Sequence, residues 1–193
     1  KAKVFIGALN EGMKVSNGNI IGVLHSDDEL IDKDVITIIT QKFLENDLDI
    51  LFSNIYYTKQ NDTKKIIRKW ISNLNEGIQS NNILNEKINN GWMPPHTTLF
   101  FKKDLLEKIG YYDENLKISS DYDFIIRLFK QNNFKIFFLN KFTVRMRMGG
   151  ISNKNIQSIF LKMKEDFYIM KKFNLNAVKS ILIKNLSKIK QFF

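Results

Sequence analysis

Apolar residues recur along this chain in two ways, as short continuous runs and as positions spaced three or four apart. The runs are typical of buried strands, and the spaced positions are typical of amphipathic helices packed on a core. Strand patterns are clearest in NIIGVL and DILFSNIYYTK, and helix patterns in DKDVITIITQKFLEN and SSDYDFIIRLFKQNN. Because strands and helices alternate early and a strand pair follows late, the sequence predicts an α/β fold with a mixed, mostly parallel sheet flanked by helices.

Weaker patterns supply the other elements. They predict, in chain order, a helix in ALNEGMKVSNG, an edge strand in KKIIRKW, a polar loop at 72–91 with a short helix at 82–88, a strand at 97–101, a helix at 103–109 ended by Gly110, and strands in FKIFFL and FTVRMRM. Helical spacing returns from residue 156, where the face expected to pack on an apolar surface comprises Ile156, Ile159, Phe160, Met163, Phe167, Met170 and Phe173, and it recurs over 176–193. The chain therefore divides into a globular domain, residues 1–155, and basic amphipathic C-terminal helices, residues 156–193.

The stretch NIIGVLHSDDEL carries the first candidate chemistry. Its apolar run, residues 20–24, predicts a buried central strand, and Asp27 and Asp28 follow where that strand ends. Ligands of open α/β sheets bind beyond the carboxyl ends of the strands, and paired carboxylates there suit a hard divalent cation such as Mg²⁺ or Mn²⁺. The alternative is that both acids merely fill a turn before a helix that starts near Asp32.

The stretch SSDYD carries the second. Ser120 and Asp123 have the spacing of a capping box, which leaves Asp121 free to face a cleft. The helix dipole favours an ionised carboxylate in the first turn, so Asp121 could serve as a general base toward a hydroxyl. The alternative is that Asp121 and Asp123 are ordinary first-turn acids.

Two basic features add to these acids. His96 follows Pro94-Pro95 and could contact a phosphate or a sugar hydroxyl, although a lone histidine can equally be structural. Arg145 and Arg147 alternate with apolar residues on one strand that leads into Gly149-Gly150, an arrangement that suits a diphosphate. A solvated strand face is the alternative for these arginines.

Charge and composition exclude several classes of function. The net charge is +10, but residues 151–193 hold nine Lys against two acids, so the basicity belongs mainly to the tail. The absence of Cys excludes disulfides and thiolate chemistry, and two His do not make a zinc site. Nucleic-acid binding is disfavoured because the aromatic residues sit at core spacing. No apolar run reaches about 18 residues and the first residues do not resemble a signal peptide, so the sequence predicts a cytoplasmic protein.

Three segments together resemble the family 2 glycosyltransferases, which have the GT-A (Rossmann-like) fold. ALNEGMKVSNGNIIGVLHSDDEL is similar to the segment that leads into the family's DxD-type motif. MPPHTTLFFKKDLLEKIGYYDENLKISSDYDFIIRLF is similar to its acceptor-side segment, and VRMRMGGISN to the loop over the donor in members that build bacterial surface polysaccharides. The resemblance covers residues 7–155, with the C-terminal helical tail beyond it.

This resemblance implies roles for individual residues. Asp28 would ligate Mg²⁺ or Mn²⁺ on the donor diphosphate, and Asp27, beside Ser26, would hold the ribose or assist the metal. Asp121 would deprotonate the acceptor hydroxyl in an inverting displacement. The remaining implied residues are Arg145, Arg147, Gly149 and Gly150 on the donor, His96 and Trp92 in the acceptor or donor pocket, and Asp123 as an alternative base in that pocket.

The resemblance also implies a biological setting. The expected reaction moves a sugar from a nucleotide-sugar donor to a glycan or lipid-linked acceptor in cell-surface polysaccharide synthesis. The basic tail would then touch the inner face of the cell membrane, or else pack on the domain or on a second copy.

One part of the family pattern is absent. The uridine-binding Asp and the Gly-Ser-Thr-Asp-Gly loop are not found, so about 60 residues, two β-α units, are expected before Lys1, and without them a sheet edge should be exposed. The alternative function is therefore a non-catalytic, truncated module with a membrane- or protein-binding tail.

Overall fold

The apolar runs form one mixed sheet, and the amphipathic segments form helices packed around it. The computed structural model describes residues 2–148 and 156–176. The helices are α1 Ala2–Val15, α2 Val35–Asn46, α3 Asn81–Asn89, α4 Leu105–Ile109, α5 Ser120–Phe129 and α6 Ile156–Lys172, with a short 3-10 helix at His96–Thr98. The strands are β1 Ile20–Gly22, β2 Asp28–Leu30, β3 Ile50–Lys59, β4 Asp62–Trp70, β5 Gly77–Ile78, β6 Phe100–Lys102 and β7 Ile136–Arg147.

The sheet follows the order β1-β6-β3-β7-β2, with β4 added to β3 and β5 added to β7. The two longest strands, β3 and β7, pair in parallel, and the other five pairings among the described strands are antiparallel. Helix α2 packs its buried Val35, Ile39 and Phe43 on one side, and α5 contributes to the larger core. The expected mixed α/β sheet flanked by helices is confirmed. The predicted predominance of parallel pairing is not seen among the described strands, because β6 runs antiparallel between β1 and β3 and only β3 and β7 pair in parallel.

Strand β1 does not occupy the centre of the described sheet, as the sequence predicted. It pairs with β6, and no other strand within the described residues pairs with it. Ile21 is buried whereas Gly22 is exposed.

The two strands predicted near residues 134–147 form one continuous strand, β7. Register shifts opposite Asn54 accommodate the exposed Asn140 and Lys141 in its middle, so these polar residues form a bulge without ending the pairing.

The strand predicted at 97–101 begins later, at Phe100. Thr98 belongs to the 3-10 turn, and its hydroxyl donates to the carbonyl of Pro95.

The predicted capping box of α5 is wrong. Ser119, not Ser120, stands at the N-cap position, and it makes no side-chain cap hydrogen bond. Its hydroxyl donates instead to Asp166 at 2.7 Å, and the Asp123 carboxylate is taken by two cations. Tertiary partners have replaced the local motif.

The predicted apolar face of α6 is wrong in most positions. The helix buries Glu165, Asp166, Ile169 and Met170, and exposes Ile159, Phe160, Met163 and Phe167. Its inner face is partly polar because the two acids accept hydrogen bonds from the segment before α5.

The second predicted C-terminal helix lies outside the described residues. No helix in the described part of the chain has the length and apolarity that crossing a membrane requires.

Replacing Gly22 by Ala should destabilise the fold. An added Cβ would lie 2.4 Å from the Phe100 ring on the paired strand, so the ring or the strand must move. We expect a loss of about 1–3 kcal/mol in the free energy of unfolding, measured by urea titration. The control is Gly12→Ala on exposed α1, where an added Cβ meets nothing within 4 Å. Equal stability of the two variants would contradict the close contact.

Candidate functional site

The acidic pair lies at the start of a short strand and not in a free turn. After β1 the chain turns at Ser26 and Asp27, and the N–H of Asp28 donates to the carbonyl of His25 at 3.0 Å. Strand β2 then pairs with β7, with Asp28 opposite Met146. This pairing places the acids beside the strand that carries Arg145 and Arg147.

The Asp28 carboxylate is buried without a hydrogen-bond partner. Both oxygens are inaccessible to solvent, and neither meets a donor at hydrogen-bond geometry in the described residues. Burial first, and the neighbouring Asp27 second, raise the pKa of Asp28 to about 7, while Arg147 and the backbone of His25 offset this only in part. An anion held in this way is stabilised by a bound cation.

A second group, His25, His96, Tyr112 and Asp121, lies within electrostatic reach of the first. The rings of His25 and His96 are 5.4 Å apart, and Nε2 of His96 is 2.8 Å from the Tyr112 hydroxyl. Burial lowers the pKa of His25, and the charges of Asp27 and Asp121 both act against that shift. The structure therefore brings the SDD segment and the SSDYD segment to one site.

His96 is held neutral at this site. Burial lowers the pKa of His96 to about 4, and the opposing charge of Asp121 does not compensate. Burial likewise raises the pKa of the Tyr112 hydroxyl. The pair is therefore an uncharged hydrogen-bonding surface next to the Asp121 carboxylate.

Stability should fall as the pH falls through the range set by His96. The imidazole pKa is ordinarily near 6.5 and is about 4 in the fold, so the unfolded chain binds more protons between these values. The contribution of the neutral His96 to stability is then full above pH 6.5 and is lost progressively toward pH 4. His96→Gln should show a smaller loss in urea unfolding between pH 7.5 and 4.5.

The matched control is Tyr112→Phe, which removes the hydrogen bond and keeps the imidazole. It should retain the pH dependence of the unmodified protein. An unchanged pH dependence in His96→Gln would contradict the neutral assignment.

Sequence reasoning missed two residues of this site, Tyr57 and Arg68. Strand register places Asp28, Met146, Tyr57 and Arg68 in one row across four strands. The Arg68 guanidinium lies 3.7 Å from the centre of the Tyr57 ring. Burial raises the pKa of Tyr57, Arg68 opposes this shift, and the charges of Asp121 and Asp28 add to it, so both carboxylates lie within electrostatic reach of Tyr57. The apolar run of β3 and the edge-strand pattern of KKIIRKW predicted these strands, but such patterns do not specify the register that brings Tyr57 and Arg68 together.

The two predicted arginines have different surroundings. Nη1 of Arg145 donates to the carbonyl of Ile31 at 3.1 Å and lies 3.5 Å from Glu29, so this side chain braces β2. Arg147 follows Met146, the residue opposite Asp28, and its charge lowers the pKa of Asp28. Gly149 and Gly150 lie outside the described residues.

The side chains of two further candidates, Asp123 and Trp92, are engaged in contacts within the protein interior. Asp123 is fully buried, with its carboxylate 2.7 Å from Nε of Arg127 and 2.7 Å from Nζ of Lys172. Trp92 packs edge-on against Phe52 and Phe129, with ring centres 5.8 and 6.4 Å away. Ser26 is exposed at the turn.

The acidic pair fits a divalent cation that a phosphate also ligates. Within residues 2–148 and 156–176, no three His, Asp or Glu side chains converge as a complete metal cage. Mg²⁺ is commonly held by one or two carboxylates together with substrate phosphates and water. The unpartnered Asp28 oxygens and the adjacent Asp27 suit that mode of binding.

Known proteins share both the sequence pattern and the fold. The model of the glycosyl transferase family 2 matches residues 2–110. A protein of Methanocaldococcus jannaschii, described as an uncharacterized glycosyltransferase, is 27% identical over 150 residues, which are 75% of this chain and 47% of that protein.

Solved structures of S. aureus TarS share the fold. One has a TM-score of 0.57 at 16% identity and covers 86% of this chain and 31% of its own. A TarS structure in complex with UDP-GlcNAc has a TM-score of 0.55 at 18% identity and covers 91% of this chain and 49% of its own. The chain thus spans less than half the length of the relatives compared. Since the family model matches more than half of the chain and the fold agrees, the chain belongs to glycosyl transferase family 2, with the GT-A fold.

Proposed function

We propose that the protein transfers a sugar from a nucleotide-sugar donor to a hydroxyl group of an acceptor. The observation that carries the proposal is the buried, unpartnered Asp28 carboxylate, which lies within electrostatic reach of Arg147 and acts, like Asp121, on Tyr57. Family membership and the UDP and UDP-GlcNAc complexes of TarS support a nucleoside diphosphate donor.

The donor diphosphate would bind at the acidic pair. Asp28, with Asp27, would hold Mg²⁺ or Mn²⁺, and Arg147 would contact the diphosphate directly. When bound, the metal neutralises the charge that develops on the leaving diphosphate. Asp27 and Ser26, at the turn, would face the ribose, while Arg145 would keep β2 in place through Ile31 and Glu29.

Asp121 would act as the base in an inverting displacement. It accepts the proton of the acceptor hydroxyl while that oxygen bonds to the anomeric carbon. The bond between this carbon and the diphosphate oxygen breaks, and its electron pair leaves with the nucleoside diphosphate. The side chain suits this role because it is partly exposed and accepts a hydrogen bond from the N–H of Tyr122 at 2.8 Å. The neutral His96 and Tyr112 would donate to or accept from the acceptor sugar.

The acceptor would be a glycan or a lipid-linked glycan of a cell-surface polysaccharide. An acceptor of this kind lies near a membrane, and α6 exposes an apolar strip consisting of Ile159, Phe160, Met163 and Phe167. The nine Lys of residues 151–193 would favour the anionic inner face of the cell membrane. Peripheral attachment there is part of this proposal.

A calorimetric titration tests the donor site. UDP, GDP and dTDP are titrated with and without Mn²⁺ into the purified protein that contains this chain. Mn²⁺-dependent binding of one nucleotide, followed by turnover of its sugar conjugate, would support the proposal and identify the donor. Absence of binding for all three would contradict it and favour a non-catalytic glycosyltransferase-like module.

A further inference from the structure

Helix α6 holds the backbone that leads into α5 with a single buried carboxylate. Oε1 of Glu165 accepts the N–H of Lys117 at 2.8 Å, and Oε2 accepts those of Ile118 and Ser119, each at 2.9 Å. Glu165 is only 8% exposed. Three successive backbone donors directed at one carboxylate form a specific anchor, because hydrogen bonds to a charged acceptor are about twice as strong as neutral ones.

A neighbouring contact strengthens the same anchor. Asp166, also buried, accepts the Ser119 hydroxyl at 2.7 Å and pairs with Lys162 at 3.2 Å. Farther along α6, Lys172 reaches Asp123 at 2.7 Å. Helix α6 therefore contacts both the residues just before α5 and the first turn of α5.

The anchored segment, residues 117–119, ends two residues before Asp121. Helix α5 begins at Ser120, and its N-cap residue Ser119 makes no side-chain cap hydrogen bond. The helix start therefore lacks the usual local stabilisation by an N-cap side chain. The orientation of the first turn, and with it the direction of the Asp121 carboxylate, depends on the contacts made by Glu165. Small displacements of a catalytic group can cost about 10²-fold in rate.

We propose that Glu165 is a positioning residue that fixes Asp121 from outside the catalytic site. The inference rests on the proposed role of Asp121 as base. It assigns a catalytic contribution to a helix that lies beyond the residues matched by the family model. Residues 117–119 form the link, and Glu165 itself touches no reacting group.

The test compares Glu165→Gln with Lys164→Gln in the purified protein. Glutamine keeps the side-chain length and the helix propensity. Its NH₂ group, however, is a donor and cannot accept the hydrogen bonds that the backbone N–H groups give to the carboxylate. Lys164 is the exposed neighbour of Glu165 on α6. We expect Glu165→Gln to lower kcat at least tenfold with the donor Kd changed less than twofold, and Lys164→Gln to change neither.

Hydrogen exchange distinguishes positioning from general destabilisation. In Glu165→Gln the amides of 117–121 should exchange faster, while those of β3 and β7 keep their rates. Ser119→Ala tests the same anchor from the other side, and should show a smaller loss of kcat with the same local pattern. An unchanged kcat in folded variants, or faster exchange throughout the chain, would overturn the proposal.

The outcome also separates this inference from the proposed function. If the unsubstituted protein transfers no sugar, the proposed function fails, and the exchange rates of 117–121 still decide whether Glu165 holds this segment. If it transfers sugar and Glu165→Gln does so equally well, only the positioning role fails.

Discussion

Asp28→Asn is expected to abolish Mn²⁺-dependent nucleotide binding and to lower kcat/KM by at least 10³-fold. An amide cannot neutralise a divalent cation, and the charge that develops on the leaving diphosphate would lose its counter-ion. Removing one such stabilising group commonly costs 10²–10³ in kcat, and the loss of donor affinity adds to this. Calorimetry with Mn²⁺ and nucleotide, together with initial rates, measures both parts.

The same substitution should not destabilise the ligand-free protein. The pKa of Asp28 is raised from its ordinary value near 3.8 to about 7, so the fold disfavours the ionised form. The contribution of Asp28 to the stability of the ligand-free protein therefore becomes unfavourable as the pH rises from about 4 to about 7, opposite in sign to that of His96, and the Asn variant lacks this contribution. At pH 8 we expect Asp28→Asn to melt at the same temperature as the unmodified protein, or higher.

The control is Asp32→Asn, an exposed acid four residues away whose carboxylate accepts the N–H of Asp34 at 2.9 Å. Asparagine can make the same contact, so binding and rate should stay within twofold. Retention of metal-dependent binding by Asp28→Asn would contradict the metal assignment, and a fall in melting temperature at pH 8 would contradict the buried charge.

The order of elements could be predicted because it depends on local pattern. Periodicity located α2 and α5, and Gly110, at φ +72°, ends α4 as expected. The candidate residues Asp28 and Asp121 were also apparent from their positions after a strand and in a first turn. Their proximity in space was implied only by the family resemblance, because 92 residues separate them in sequence.

Features that depend on distant partners could not be predicted from pattern. Strand β2 has three residues, and its pairing with β7 makes it a strand. Arg68 reaches Tyr57 through strand register, which alternation does not determine. In α5 and α6 the local signals pointed to a capping box and an apolar face, whereas Asp123, Glu165 and Asp166 are used in contacts between the helices.

Asp121→Asn is expected to stop the chemical step while leaving the donor site intact. Asparagine cannot accept the acceptor proton, and general-base removal costs roughly 10²- to 10⁴-fold in kcat. Asp28 and Arg147 are untouched, so the Kd of the nucleotide with Mn²⁺ should change less than twofold. Asp121 is partly exposed, so the free energy of unfolding should stay within about 0.5 kcal/mol.

The contrasting variant is Asp123→Asn, two residues away on the same helix. Its carboxylate is fully buried between Arg127 and Lys172, and breaking a buried ion pair costs about 3 kcal/mol. Asp123→Asn should therefore lose stability in urea unfolding, whereas Asp121→Asn should lose kcat. Asp123 would be the base if its variant lost the chemical step at temperatures where it remains folded and Asp121→Asn kept full activity. The burial of Asp123 argues against that outcome, because a base must reach the acceptor hydroxyl, and its two oxygens already bind Arg127 of α5 and Lys172 of α6.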